Sequence, residues 1–384
     1  MRFIAGECCG YAIAEAEITS IGDGADVTPT AGDHEGRFKV PGIPRPICAI
    51  WHAEELLKTN NPADLKGQNS SEICPRGATL RSDFNPTLDQ VTALHLMAFE
   101  HDRDIVSAAT ELMKLEPRHL PGALKLSQEM GWPYRQEDWE FALRVGNGLV
   151  LERAGQVIGT AMSWNYGQSY ATVGMIIVTG SAQGGGNGAR LFDGLLEATH
   201  GRNVLLNSTE EGLALYKRRG FTAWGTVLQH QGSLSAAVTR STRDDIRQAT
   251  ASDLAAIQAF DESATGMPRL AMVAALADVG NALVIERRGR IAGYAIARRF
   301  GRGYVVGPCA AESDRDARLL ILAQLSKLHD QFIRIDVYAE DGLGDWLESL
   351  GLQRSGSATA MVKGQRPVSE RPAHMYALAN QSFT

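Results

Sequence analysis

The residues best suited to chemistry form the run Gln183-Gly184-Gly185-Gly186-Asn187-Gly188. It follows an apolar, strand-like segment ending at Val178 and leads into an apolar-periodic helical segment, residues 189–198. Strand, glycine-rich turn and helix in that order make an anion cradle. Glycines let backbone N–H groups approach a phosphate, and the helix start adds the positive end of its dipole. The details exclude two common nucleotide sites. A P-loop needs Gly-Lys-Ser/Thr at the helix start, where Asn187-Gly188-Ala189 stands here. A dinucleotide fold wants an acidic residue closing the next strand, and the segment Val204-Leu205-Leu206 ends in Asn207.

Further on, Leu215-Tyr216-Lys217-Arg218-Arg219-Gly220-Phe221 reads as a helix that stops at Gly220. A tyrosine hydroxyl is a weak acid that stays protonated at neutral pH, so Tyr216 could donate a proton. Gln-Gly-x-Gly-x-Gly after a strand, then Tyr-x-x-x-Gly-Phe after the next, resembles the GCN5-related N-acetyltransferase family. The resemblance implies an α/β (α+β) fold, with a mixed, mostly antiparallel central sheet flanked by helices. It implies acetyl-CoA as co-substrate, held between two parallel strands that splay apart, and a small-molecule or peptide amine as acceptor. Main-chain contacts to the pantetheine arm would then come from Ile176 and Val178. Gln183, Gly184, Gly185, Gly186, Asn187, Gly188 and Ala189 would surround the pyrophosphate. Asn207 would face the pantetheine or the substrate, and Tyr216 would protonate the departing thiolate.

The same resemblance leaves the general base open. The strand before the loop carries no acid or histidine, so Glu210, Glu211, His230 or a water chain are the candidates. Among the aromatics, Tyr134 and Tyr166 are the expected lining of an acceptor pocket. Two departures from the family pattern bear on affinity: Gly180 stands where a proline is common, and Asn187 where a basic residue is common. A CoA-binding protein without catalysis is the alternative reading.

The elements that must position these residues occur twice. Ala154-Gly155-Gln156-Val157-Ile158-Gly159 matches Arg288-Gly289-Arg290-Ile291-Ala292-Gly293, each at the turn of a predicted hairpin. Residues 106–235 are therefore read as one domain and residues 243–365 as a second copy, with a polar linker at 232–242 and a tail at 366–384. Aligning Ala189-Arg190-Leu191 with Ala317-Arg318-Leu319 sets Val306 against Val178 and places Glu312, Asp314 and Asp316 in the second cradle. Carboxylates there would repel a pyrophosphate, so the second copy is expected to have lost the cofactor.

Composition narrows the setting. The 384-residue chain is 44% hydrophobic and 21% charged, ordinary for a globular protein. A net charge of −6 argues against nucleic acid as the main partner. No apolar run reaches a bilayer-spanning length, and the acidic Glu7 comes too early for a signal peptide. The five cysteines show no metal-ligand or disulfide spacing, so no metal is expected and a reducing cytoplasm is the default. Residues 1–105, rich in Gly, Pro, Asp, Asn, Ser and Thr, are expected to be a poorly ordered extension, with one helix at 87–99.

Overall fold

The computed structural model describes residues 2–8, 11–17, 109–234 and 245–384, and the chain divides into two units, Met1–Ala108 and Ala109–Thr384. In the first unit, β1 (Arg2–Cys8) and β2 (Tyr11–Glu17) pair antiparallel, closing at Cys8 opposite Tyr11. The rest of the expected extension, its helix at 87–99 and linker residues 235–242 lie outside the described residues.

The second unit holds both copies. The first runs β3 (Thr110–Lys114), α1 (Leu120–Glu129), α2 (Gln136–Val145), β4 (Asn147–Arg153), β5 (Gln156–Tyr166), β6 (Tyr170–Val178), α3 (Asn187–Ala198), β7 (Asn203–Ser208), α4 (Leu213–Lys217) and β8 (Thr222–Ser233). The second repeats the order with β9 (Ile246–Gln248), α5 (Leu254–Thr265), α6 (Leu270–Val279), β10 (Asn281–Arg287) and β11 (Arg290–Phe300). It continues through β12 (Gly303–Ala311), α7 (Asp314–Leu325), β13 (Phe332–Tyr338), α8 (Gly344–Ser349) and β14 (Gln353–Lys363), followed by β15 (His374–Ala377).

Local rules account for the helix starts. Proline enters α1 in its first turn, where its missing N–H costs nothing. At α2 the Asp138 carboxylate accepts the Arg135 N–H at 2.9 Å, and Ser313 caps α7 by accepting from the Asp316 N–H. The strands are rich in β-branched and aromatic residues and are buried on both faces, so neither β5 nor β6 shows a polar face. Leu191, Phe192 and Leu195 of α3 close one face against Val173, Val204 and Leu206. On the other, Leu126 and Trp139 pack over Met175, Ile177 and Leu205 in a core that also takes in Ile257, Met272 and Tyr294 of the second copy. Each such large apolar side chain contributes roughly 1.5–3 kcal/mol on burial.

The two copies share one sheet. Among the described residues thirteen strands join, in the order β3-β4-β5-β6-β7-β14-β8-β13-β12-β11-β10-β9, with β15 beside β12. Strand β14 of the second copy inserts between β7 and β8 of the first, pairing Thr359 with Ser208 and Lys363 with Val204. In turn β8 pairs with β13, from Phe332 opposite Ser233 to Tyr338 opposite Val227. Neither sheet half is closed by its own sequence.

The tail expected at 366–384 is corrected. His374, Met375 and Ala377 pair antiparallel with Ala311, Ala310 and Cys309 of β12, and Leu378 and Ala379 are buried. The apolar alternation of Met375, Ala377 and Ala379 makes this segment a strand and its continuation.

Strand exchange predicts that residues 106–235 expressed alone lose the cooperative thermal melt of the whole chain, because β7 and β8 would expose unpaired edges. Circular dichroism checks this; a sharp independent transition for the fragment would contradict it.

Candidate active site

Strands β6 and β7 run parallel and pair only from Tyr170 to Thr172, opposite Asn203 to Leu205. Beyond that they diverge. Met175, at φ 51°, sits where the pairing with β5 shifts register between Thr160 and Met162, and its carbonyl accepts the Thr160 hydroxyl at 3.0 Å. This bulge turns the segment carrying Ile176 and Val178 away from β7. The Val178 carbonyl accepts the Gln183 side-chain amide at 2.9 Å, so Gln183 ties the loop back to its strand.

The loop itself needs its glycines. Gly184 and Gly186 have φ 78° and 80°, the left-handed region that other residues reach at a cost. A Cβ added at either would meet nothing within 4 Å, and one at Gly185 would meet only the Asn187 amide at 3.9 Å. That amide is held inward, donating to the Ala182 carbonyl at 2.9 Å. The first N–H donated within α3 is that of Arg190, to the Gly186 carbonyl at 2.9 Å. The N–H groups of Asn187, Gly188 and Ala189 are thus the orphan donors of the helix start, beside an open glycine surface. These are the properties of a pyrophosphate cradle.

Tyr216 enters from α4. Gly220, at φ 85°, ends the helix, and the Phe221 N–H bonds back to the Tyr216 carbonyl at 3.1 Å. The ring stands edge-on to Phe192 with centroids 4.7 Å apart. Gly212 lets it lie against backbone, since a Cβ there would come 2.7 Å from Tyr216 Cε2. Burial alone pushes the Tyr216 hydroxyl up to about 12, so it is a protonated donor throughout the neutral range.

Asn207, two residues along β7 from Leu205, meets the chain's own later segment. Its Nδ2 donates to the Gln381 carbonyl at 2.7 Å, while its buried Oδ1 has no protein partner. Residues 380–383 form a tight turn in which the Asn380 side chain accepts the N–H groups of Ser382 and Phe383, both at 2.8 Å. Phe383 is buried edge-on to Trp164, with centroids 4.9 Å apart. Gly174 lets Ser382 approach β6: a Cβ there would lie 2.7 Å from the Ser382 hydroxyl.

Tyr134 and Tyr166, expected to line an open pocket, instead hold this turn. The Tyr166 hydroxyl donates to the Phe383 carbonyl at 2.9 Å, and burial raises it to about 12. Burial likewise raises Tyr134, whose hydroxyl reaches Ser382 and whose ring stands edge-on to Phe300. Two buried arginines of the second copy complete the clamp. Arg269 donates to the Phe383 carbonyl at 3.3 Å, and its charge is met by Asp261, which also accepts from Tyr294. Arg298 donates to the Ala379 carbonyl at 3.3 Å beneath Phe141, Phe300 and Phe383, and desolvation lowers it to about 10. Sequence reading missed Arg269, Arg298 and Gln381; the apolar run from Met375 to Ala379 was the available signal.

Of the possible bases, Glu210 and Glu211 are exposed beyond the end of β7. His230 is buried in β8, with Nδ1 3.2 Å from the Leu352 carbonyl. None lies on β6.

The second copy departs from expectation in how it differs. Gly159 faces Val178, and the equivalent Gly293 faces Ala311, so Ala311 rather than Val306 is the counterpart of Val178. From Ala311 the chain enters α7 after only Glu312 and Ser313, whereas residues 179–186 separate β6 from α3. The glycine loop is deleted, not replaced by acids. Glu312, Asp314 and Asp316 pair with Arg290, Arg318 and Arg287. The helices correspond at Ala189 and Ala317, but the loops that lead into them differ in length. In this copy β15 lies along the diverging part of β12, at Cys309, Ala310 and Ala311, the positions that Ile176, Ile177 and Val178 hold in the first copy.

The acetyltransferase (GNAT) domain family matches twice, over residues 140–236 and residues 257–377. The chain belongs to the GCN5-related N-acetyltransferase family, with two such domains in tandem. It is 26% identical over 287 residues to an uncharacterised N-acetyltransferase of Bacillus subtilis, YitH, covering 71% of this chain and 98% of that protein. It is also 26% identical over 211 residues to the holothin acyltransferase of a Pseudoalteromonas species, covering 54% and 71%. The fold matches a putative acetyltransferase of Pyrococcus horikoshii at TM-score 0.60 and 18% identity, over 72% and 96% of the two chains.

Phe383→Ala is expected to destabilise the chain by about 3–5 kcal/mol, the cost of emptying a packed aromatic site. Urea unfolding measures it; a loss below about 1 kcal/mol would return residues 380–384 to the status of a loose tail.

Proposed function

We propose that the first copy is an acyl-CoA-dependent N-acyltransferase that moves acetyl from acetyl-CoA to an amine of a small molecule or peptide, in the cytoplasm. The observation that carries this is the open glycine loop at the start of α3, beside a parallel pair that has diverged. The main chain of Ile176 and Val178 holds the pantetheine arm, and the loop from Gln183 to Ala189 holds the pyrophosphate. Asn207 Oδ1, buried and unpartnered, accepts an N–H from the pantetheine or the acceptor.

The acceptor nitrogen attacks the thioester carbonyl; an N–C bond forms and the C–S bond breaks. Tyr216 gives its proton to the leaving thiolate and is reprotonated from water. The attacking amine enters neutral and gives up its surplus proton to solvent, since β6 offers no base. Much of the rate then comes from placing amine and thioester together. The similarity to a holothin acyltransferase supports acyl transfer as the reaction class.

Tyr216→Phe should lower kcat by roughly 10²–10⁴-fold with little change in CoA affinity, because the hydroxyl acts only as charge develops on sulfur. Since Tyr216 titrates near 12, its ionisation should put no falling limb on the pH–rate profile below that range. Unchanged turnover with chemistry rate-limiting would assign it to packing. Gly186→Glu should abolish CoA binding with the fold retained, the melting temperature falling only by what roughly 1–2 kcal/mol of left-handed backbone strain costs, since a Cβ there meets no protein atom. Calorimetry and a thermal melt on the same sample test this; retained binding would move the cradle elsewhere.

A further inference from the structure

A cavity of about 350 Å³ lies between the copies, floored by Leu205 and walled by α5, the end of β13 and residues 366–378. That volume is at the lower end of small-ligand pockets. Leu205 lies two residues before Asn207 on β7, so the cavity floor and the Asn207 side chain share one face of the sheet.

Its walls are chemically specific. Trp224 and Tyr338 stand 5.0 Å apart as a tilted aromatic pair, and the Arg366 guanidinium lies 3.9 Å over the Trp224 ring. Three polar atoms of its lining residues are buried without a protein partner: the Trp224 indole N–H, a donor, Asp341 Oδ2, an acceptor, and the Thr384 hydroxyl, which can be either. The other Asp341 oxygen is already engaged by His374 Nε2 at 2.7 Å. Arg366 and Arg371 line the same cavity, and both are exposed, at its mouth. A buried donor and a buried acceptor without partners among the lining of one cavity cost free energy unless something supplies both complements. An α-amino acid head group does so: its ammonium donates to Asp341 Oδ2, and its carboxylate accepts from the indole N–H beside Arg366.

We infer that this cavity is the acceptor's recognition site, and that the acceptor is a diamino acid whose α-amino acid head is held by Asp341, Trp224 and Arg366. Because the α-ammonium is paired with a carboxylate, it stays protonated and is not the nucleophile. The methylene stem crosses the apolar floor at Leu205 and Met267, and the distal amine reaches the Asn207 end of β7. This assignment rests on the acyltransferase reading of the first copy.

Calorimetric titration of the full chain with L-lysine and L-ornithine, with and without CoA, tests it. Cadaverine lacks the carboxylate and 6-aminohexanoate lacks the α-amine, so each should bind at least tenfold more weakly than L-lysine. Asp341→Asn should restore 6-aminohexanoate to parity by weakening only the ligands with an α-ammonium. Arg366→Ala should weaken lysine but not cadaverine, and circular dichroism confirms folding of both variants. Equal binding of all four ligands, or no lysine binding by a chain that binds CoA and acylates simple amines, overturns the inference and leaves the acyltransferase reading standing. Head-group binding by a chain that fails to bind CoA would overturn the acyltransferase reading and, with it, the assignment of this cavity to an acceptor.

Discussion

Two parallel strands that diverge leave a row of backbone N–H and C=O groups without partners, and buried groups of that kind must be satisfied. The rest of this molecule is arranged around that constraint, met differently in its two copies. In the second, β15 lies antiparallel along the diverging stretch of β12, so the chain supplies its own partner. In the first, the ladder between β6 and β7 stops at Thr172, and no strand among the described residues pairs with the inner edge of the stretch up to Val178. In the proposed function, a pantetheine arm with its two amides would supply the complement. The glycine loop is present in the copy whose edge is free and deleted in the copy whose edge is filled.

The same segment that fills one copy shapes the other. After β15 the chain turns through residues 380–383 onto the face of β6 and β7, anchored by Phe383 and by two buried guanidinium groups of the second copy. Removing a charge partner such as Asp261 would leave Arg269 buried and unpaired, which typically costs 3–5 kcal/mol. The second copy therefore acts on the first through β14, which completes its sheet, and through this turn, which covers Asn207 and Gly174. Neither role requires the second copy to bind a cofactor.

Much of this was legible in the sequence because it depends on local rules. The hairpin turning at Ala154-Gly155, the glycine run before α3 and the stop at Gly220 each follow from backbone conformations that few residues adopt. The repeat was visible because its hairpins share spacing. What could not be read was long-range pairing. Strand β14 resembles any terminal strand of its own copy, and nothing local says that Lys363 lies opposite Val204. His374 to Ala379 looked like a tail because it is short and follows a Pro-rich stretch; its burial comes wholly from tertiary partners. Tyr134 and Tyr166 read as pocket aromatics, yet they hold residues 382 and 383, a segment that only tertiary packing brings there.

The central claim is that one copy presents its diverging strand to acyl-CoA while the other has closed its own. Calorimetric titration of the full chain with acetyl-CoA measures this directly. The account predicts one binding site per chain; two equivalent sites, or a single site that survives Gly186→Glu, would contradict it.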